Sequence, residues 1–366
     1  MYETFYGLTA KPFQLNPDPT FYFDSRGHHR ALSYLEYGLH QSEGFIVITG
    51  EVGAGKTTLV RHLVQKLDPE KVVAAQLVST QLDAEDILRL VSAAFGLRSK
   101  RLEKADILLG LEMFLVSLTA VGKRALLIVD EAQNLTQRAV EELRMLSNFQ
   151  LGEHALLQSF LVGQPEFRDI MQGDNMQQLR QRVIASYHLG PMDAEETRAY
   201  IEHRLSLVGW KENPRFEGAA FDAVFGFTKG IPRRINTLCD RLLLAGFLEG
   251  KKVLAAADVD AVVEEMKSEA GSGEGREDSA LPELPGQLGA NVIPLKGATA
   301  TEAIDAGALE MEGGDEAAQA RDLALRFQAA RIEERLVRLE KTMGETLALL
   351  QRALARPKAA GGKDEA

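Results

Sequence analysis

The segment 50–57 constrains the fold of this chain more than any other part of the sequence. It reads Gly-Glu-Val-Gly-Ala-Gly-Lys-Thr, which fits the pattern G-x-x-x-x-G-K-[ST], and we call it the phosphate loop. A hydrophobic, strand-like run precedes it at 45–49, and a helical run follows it at 58–64. Glycines in such a loop let backbone N–H groups turn inward around phosphates, and the next helix points its positive end at the same anion. A glycine-rich turn that matches by chance is the alternative, and the flanking strand and helix argue against it.

The phosphate loop is expected to hold a nucleoside triphosphate. Lys56 would reach the β- and γ-phosphates, and the hydroxyl of Thr57 would bind Mg²⁺. The complete predicted nucleotide-binding set is Gly50, Glu51, Val52, Gly53, Ala54, Gly55, Lys56, Thr57 and Thr58.

Hydrolysis requires a second motif, and residues 124–131 supply a candidate. An apolar, strand-like run ends there in two adjacent carboxylates, Asp130 and Glu131. Asp130 would hold Mg²⁺, directly or through water, and Glu131 would orient and polarise the attacking water. The alternative is a buried strand whose end is merely acidic.

Four further polar residues are candidates for contact with the γ-phosphate. Arg180 and Arg182 precede a strand-like run, and Arg233 follows Gly-Ile-Pro at a predicted helix start. Arginines neutralise the charge of the transition state, although each of these could instead be an exposed salt-bridge partner. Gln164 follows the run 156–163 and could hold the attacking water, or could be a plain turn residue.

The composition excludes several classes of protein. The single cysteine, Cys239, rules out an intramolecular disulfide bond, and no apolar run approaches the ~18 residues of a membrane span. The seven histidines show no metal-ligand spacing, and we interpret the pair His28-His29 as an exposed helix start. The N-terminus lacks the pattern of a signal peptide.

The net charge of −11 is unevenly distributed. Residues 267–320 hold eleven acidic and three basic side chains, whereas residues 321–366 hold seven acidic and ten basic ones. The remainder, 1–266, therefore carries −6, and no part is strongly basic. This argues against binding of duplex DNA.

The chain divides into five predicted regions. Strands alternate with helices over 1–192, which predicts an α/β domain with a mostly parallel sheet and helices on both faces. Residues 193–267 have purely helical patterns and are predicted to form a second, all-α subdomain. Residues 268–317 are rich in Gly, Ser, Glu and Pro and are predicted to be a disordered acidic linker. The apolar island 292–295 within it could be a docking peptide or ordinary linker.

The region 318–356 recovers a helical pattern, and 357–366 is predicted to be a disordered tail. Apolar positions alternate spacings of four and three at Leu325, Ala329, Ile332, Leu336, Leu339, Met343, Thr346 and Leu350. This is a heptad seam of about four repeats, typical of a coiled coil. A lone amphipathic helix that docks on another protein is the alternative.

Taken together, these motifs resemble those of the AAA+ ATPases. By this resemblance, the phosphate loop is the Walker A motif and Asp130-Glu131 the Walker B motif. Gln164 corresponds to sensor 1, where Asn, Ser or Thr is more usual, and Arg233 to sensor 2 in a helical lid. Arg180 or Arg182 looks like the finger supplied to a neighbouring subunit.

A narrower resemblance, to the general secretion pathway protein A family, covers residues 1 to about 266. The stretches that carry it are 6–13, 16–19, 130–135, 142–149 and 179–183. The likeness is greatest to the secretion ATPases encoded with PEP-CTERM/exosortase exopolysaccharide loci. The linker and the heptad region are not covered.

The resemblance implies an ATPase that uses ATP and Mg²⁺ in a homo-oligomer and supports exopolysaccharide export or protein secretion. It implies a cytoplasmic location, peripheral to the inner membrane, with membrane-associated partners reached through the C-terminal helix. Relatives in type II secretion carry a transmembrane segment and a peptidoglycan-binding domain, and we expect neither here. A DNA-dependent AAA+ regulator of the transposition type and a binding-only scaffold are the alternatives.

Overall fold

A mostly parallel six-stranded sheet organises the region that holds the phosphate loop. The computed structural model describes residues 1–41, 43–78, 83–97, 99, 102–152, 154–173, 176–271 and 292–294. The predicted regions 318–356 and 357–366 lie outside the described residues, as does most of the predicted linker 268–317.

The bounds of the helices and strands follow the predicted alternation. The strands are β1 Phe45–Gly50, β2 Val72–Val78, β3 Arg124–Asp130, β4 Gln150–Leu151, β5 His154–Ala155, β6 Leu157–Gly163, β7 Val183–Leu189, β8 Arg215–Phe216, β9 Val253–Leu254 and β10 Val292–Pro294. The α-helices are α1 Tyr2–Tyr6, α2 Arg26–Gln41, α3 Lys56–Lys66, α4 Ala84–Ala94, α5 Lys104–Ala120, α6 Gln137–Leu146, α7 Pro165–Gln172, α8 Gln177–Arg180, α9 Ala194–Leu207, α10 Gly218–Thr228, α11 Pro232–Leu248 and α12 Ala256–Gly271. Two short 3₁₀ helices span Pro19–Phe21 and Ala132–Asn134.

The strand order in the main sheet is β10-β2-β3-β6-β1-β7. All pairs are parallel except β10 with β2, where the apolar island of the predicted linker adds an antiparallel edge strand. Since β6 lies between β1 and β3, the carboxyl ends of these three strands meet at one edge. The phosphate loop, Asp130 and Gln164 follow those three ends, so the topology brings them together.

Alternating side chains of the central strands enter two separate apolar cores. In β1, Phe45 and Val47 pack with α4–α7, whereas Ile46 and Ile48 pack with α2 and α3. Every residue of β1 and β6 is buried. This two-sided burial is why these strands are continuously hydrophobic, and it confirms the predicted parallel sheet with helices on both faces.

A third apolar core is formed mainly by α9–α12. The helix α9 begins at a capping box in which Asp193 accepts from the backbone N–H of Glu196, at the predicted change to helical pattern. The N-terminal helix α1 and Phe13 contribute their side chains to this core, not to the cores on the sheet. The boundary at residue 192 stays a prediction. Among the helices of the described residues, none has the length and apolar content to cross a bilayer.

Candidate functional site

Two glycines of the phosphate loop adopt backbone conformations that other residues rarely adopt. Gly53 and Gly55 have φ values of 81° and 97°. A Cβ on Gly53 would lie 2.3 Å from the Cβ of Arg233, and a Cβ on Gly55 would lie 2.7 Å from Nε2 of His28. These positions therefore require glycine both for the backbone turn and for close approach of α11 and α2.

Lys56 opens α3 and is buried, with its ammonium group directed at the loop itself. Its Nζ donates to the carbonyl of Gly50 at 2.6 Å and to that of Glu51 at 3.0 Å. Burial lowers the pKa of Lys56, and the charges of Glu131 and Asp130 oppose that shift. The cation therefore lies within the concave loop, where phosphate oxygens would compete for its hydrogens.

Thr57 and Asp130 meet across the ends of α3 and β3. The Thr57 hydroxyl donates to Oδ2 of Asp130 at 2.8 Å, and the backbone N–H of Glu131 donates to Oδ1 at 3.0 Å. Burial raises the pKa of Asp130, since its carboxylate has little contact with water.

This hydroxyl and carboxylate fit Mg²⁺, which prefers oxygen ligands. No group of three or more His, Cys, Asp or Glu side chains within the described ranges could hold a metal by itself. A magnesium ion here would therefore share its coordination with phosphate oxygens, as is usual for Mg²⁺ in nucleotide sites.

Glu131 lies directly after β3 with a left-handed backbone, φ 55°. Its Oε2 accepts from Nε2 of Gln133 at 2.6 Å and from Nε2 of Gln164 at 3.2 Å. The Oε1 of Gln133 accepts from the backbone N–H of Gln164 at 3.0 Å. The amide of Gln133 therefore bridges Glu131 to the end of β6. Gln133 belongs to the stretch 130–135, but the sequence alone assigned it no role.

The predicted arginines fall into two groups. Arg233 opens α11, and its backbone N–H donates to the carbonyl of Gly53 at 3.1 Å, so the helical subdomain touches the phosphate loop. Arg180 donates to the carbonyls of Met171 at 2.6 Å and Gly173 at 2.8 Å. Arg182 donates to the Ser147 hydroxyl at 2.8 Å, and neither Arg180 nor Arg182 lines the cavity at the phosphate loop.

A cavity of about 320 Å³ lies over the phosphate loop. Most of the loop lines it, together with Glu131, Gln164 and Arg233, whereas Gly50, Glu51 and Ala54 do not. Its remaining wall is formed by the N-terminal segment 14–23, by His28 and by polar residues of α9 and α11. Sequence reasoning missed this wall, because no local motif marks it.

The interpretation of His28 as exposed is wrong. His28 is 6% exposed, whereas His29 lies at the surface as expected. The Nδ1 of His28 is 2.7 Å from the Ser25 hydroxyl, and its Nε2 is 3.1 Å from the carbonyl of Ala54. Burial lowers the pKa of His28, which favours the neutral ring, and the tautomer that carries its proton on Nε2 can donate to the carbonyl of Ala54.

Comparison with known proteins agrees with this geometry. The AAA domain family matches residues 39–171, which include the phosphate loop, Asp130-Glu131 and Gln164. General secretion pathway protein A of Aeromonas hydrophila is 37% identical over 267 residues, which is 73% of this chain and 48% of that protein. The chain thus spans about half the length of this curated relative.

Solved structures share the fold at low sequence identity. The ADP form of the ORC2 protein of Aeropyrum pernix is 18% identical, covers 73% of this chain and 79% of its own, and has a TM-score of 0.53. Cdc6p of Pyrobaculum aerophilum is 17% identical, and the match covers 69% of this chain and 70% of Cdc6p, with a TM-score of 0.54. These likenesses concern the fold.

Proposed function

Since the chain belongs to the AAA ATPases related to general secretion pathway protein A, we propose that it binds ATP with Mg²⁺ and hydrolyses it to ADP and phosphate. The observation that carries the proposal is the meeting of Thr57 with Asp130 at 2.8 Å, at the mouth of the phosphate loop and beside Glu131. A glycine-rich turn without function would not require this pairing.

The side chains divide the chemistry between them. The loop amides and Lys56 would hold the triphosphate, and Thr57 and Asp130 would hold Mg²⁺, which would neutralise charge on the phosphate oxygens. The Glu131 carboxylate orients the attacking water and takes its proton as the water oxygen bonds to the γ-phosphorus, while the bond from that phosphorus to the bridging oxygen breaks and ADP leaves. Gln164 and Arg233 contact the γ-phosphate from the end of β6 and from the helical subdomain.

Two variants test the reaction. Lys56→Ala should weaken ATP binding by at least about tenfold, because a charge-assisted contact is lost. Glu131→Gln should keep ATP affinity within about threefold while turnover falls by about 10²–10⁴, the usual contribution of a general base. Binding is measured by equilibrium dialysis and turnover by phosphate release.

Exposed residues of similar type provide controls. Lys66→Ala, on the same helix, and Glu70→Gln should leave binding and turnover unchanged. Undiminished ATP binding by Lys56→Ala, or wild-type turnover by Glu131→Gln, would contradict the proposal. Hydrolysis that requires DNA, with salt-dependent affinity, would favour the DNA-dependent regulator instead.

We further propose that the active form is a homo-oligomer in which Arg180 or Arg182 completes the site of a neighbour. This is supported by their position outside the cavity of their own chain. An inactive Arg180→Ala chain mixed with Lys56→Ala should regain hydrolysis, because one supplies an intact phosphate loop and the other an intact arginine. The same mixture is made with Arg182→Ala, and failure of both mixtures would oppose action in trans.

The cellular role proposed is support of exopolysaccharide export or protein secretion at the inner membrane. The relationship to general secretion pathway protein A supports a link to secretion, and the partners are proposed to bind the heptad region 318–356. A pull-down with this region, wild type against Leu336→Asp, tests the idea. Equal recovery of every partner by both forms would contradict it.

A further inference from the structure

The cavity has a second polar region, formed by the helical subdomain and separate from the phosphate loop. Arg204 on α9 donates from Nη1 to the hydroxyl of Tyr200 at 2.8 Å. That hydroxyl in turn donates to Oδ1 of Asn236 on α11 at 2.9 Å. All three side chains are buried, and all three line the cavity.

The guanidinium of Arg204 is unusually placed for a cation. Arg204 is 4% exposed, and its Cζ lies 4.8 Å from the centre of the Phe21 ring and 5.5 Å from that of Tyr200. No carboxylate of the described residues forms an ion pair with it, and its buried Nε has no hydrogen-bond partner there. A buried cation without a counter-charge, and with an unpaired donor, is costly to the fold.

A ligand that brings hydrogen-bond acceptors into the cavity would reduce this cost. Arginine has donors only, so the partner must present oxygen or ring-nitrogen acceptors. The ring of Phe21 already covers one part of the guanidinium through a cation–π contact. The guanidinium is therefore held in place by the Tyr200 hydroxyl and the Phe21 ring, at the wall of the cavity.

The position of Arg204 indicates which part of a nucleotide it meets. Arg233 contacts the phosphate loop, and Asn236 lies three residues further along α11, about 4.5 Å along the helix axis. Arg204 is joined to Asn236 by two successive hydrogen bonds, which meet at the Tyr200 hydroxyl. The wall beside it is aromatic, with Phe21, Tyr22 and Phe23 contributed by the N-terminal segment.

We propose that Arg204 is a specificity-determining residue that donates to acceptors of the base and ribose, at the end of the nucleotide remote from the phosphates. The inference rests on the proposed function of the same cavity. Tyr200 and Asn236 position the guanidinium, and Phe21 supplies its aromatic support. Affinity for ATP then depends on two separate sets of contacts, one for the phosphates and one for the nucleoside.

Tripolyphosphate separates the two sets, because it carries the phosphates without base or sugar. Arg204→Met should weaken ATP binding by about ten to one hundredfold, and leave tripolyphosphate affinity within about twofold. Lys56→Ala should weaken both ligands. Arg215→Met, at an exposed arginine outside the cavity, is the matched control and should change neither. Binding is measured by calorimetry with Mg²⁺ present.

Phe21→Ala provides a second variant in case loss of the buried arginine prevents folding. It should weaken ATP binding and spare tripolyphosphate binding in the same way. Because Phe21 also packs against the third apolar core, the melting temperature without ligand is measured to check that the variant is folded at the assay temperature. Wild-type ATP affinity in both variants would overturn the proposal, as would equal losses for ATP and tripolyphosphate. Wild-type protein that binds neither ligand would instead refute the proposed function.

Discussion

The bridge made by Gln133 gives a sharp test of how the catalytic carboxylate is held. Gln133→Leu removes both ends of the bridge while keeping a side chain of similar size. Glu131 loses its shorter amide contact, 2.6 Å, and keeps the contact with Gln164 at 3.2 Å. The backbone N–H of Gln164 also loses its acceptor. Gln164 is the remaining partner of Glu131, so this partner is held less firmly as well.

The magnitude follows from these losses. An unpaired, partly buried donor costs about 1–3 kcal/mol, so the variant should be less stable by that amount. General-base catalysis contributes about 10²–10⁴ in rate, and a base that keeps one of two orienting contacts should retain part of it. We therefore expect kcat to fall by about ten to one hundredfold. ATP affinity should change by less than about threefold, because the phosphate loop contacts are unaffected.

Single-turnover hydrolysis and ATP binding, measured on the same preparation, distinguish these effects. Gln137→Leu, an exposed position at the start of α6, controls for the change of residue type. A wild-type rate in Gln133→Leu, with Glu131→Gln inactive, would refute an orienting role for the bridge. A rate above wild type would also refute this role, because it would show that the bridge holds Glu131 in an inactive position.

Two further changes test how the loop and the helical subdomain are supported. Gly230→Ala should destabilise the protein by more than about 1–2 kcal/mol in urea unfolding, since φ is 74° and the new Cβ would lie 1.8 Å from the carbonyl oxygen of Met192. Gly226→Ala, a helical position with open space, should be neutral or stabilising by up to about 1 kcal/mol, and equal losses in both would contradict the steric argument. Because burial lowers the pKa of His28, the unfolded chain binds a proton below about pH 6.5 that the folded chain binds only at a lower pH. Wild-type stability should therefore fall by up to about 1.4 kcal/mol per pH unit relative to His28→Gln on acidification, and parallel stability–pH curves would show that His28 is not protected from protonation.

The strand, loop and helix around residue 50 could be predicted because the signals are local. A continuous hydrophobic run predicts a strand buried on both faces, and β1 is buried throughout. The glycine spacing fixes where the helix begins, at Lys56. Asp130 could be placed at the same edge of the sheet as the phosphate loop, because parallel strands present their carboxyl ends together.

His28 and Gln133 could not be assigned in the same way, since their roles depend on contacts between distant segments. His28 is buried because the start of α2 packs against the phosphate loop, and nothing in the sequence around it marks that contact. Gln133 acquires its role only when β3 and β6 are adjacent, which brings the backbone of Gln164 within hydrogen-bond reach.

The sequence does contain a signal that Arg204 is buried. On α9 it follows Tyr200 by four residues and Ile201 by three, so it occupies the buried face of the helix. No Asp or Glu lies three or four residues from Arg204 along the helix, so an ion pair within α9 is not available to it. A charged residue at such a buried position indicates that its polar partner comes from another segment or from a ligand. The helical periodicity therefore predicts that Arg204 is buried, but it does not predict that Arg204 lines the nucleotide cavity.

Contacts from α2 and α11 reach the backbone of the phosphate loop rather than its side chains. His28 donates to the carbonyl of Ala54, and the backbone N–H of Arg233 donates to that of Gly53. The Ala54 carbonyl shares its peptide group with the N–H of Gly55, which lines the cavity, so α2 helps set the orientation of an amide that would meet phosphate. The Gly53 carbonyl shares its peptide group with the N–H of Ala54, which donates to the carbonyl of Glu51 at 3.1 Å, so α11 supports the internal turn of the loop. The loop motif therefore predicts that a phosphate group binds, while residues far from the loop in sequence help determine the orientation of its backbone amides. Movement of the helical subdomain would then change phosphate affinity without altering any residue of the motif.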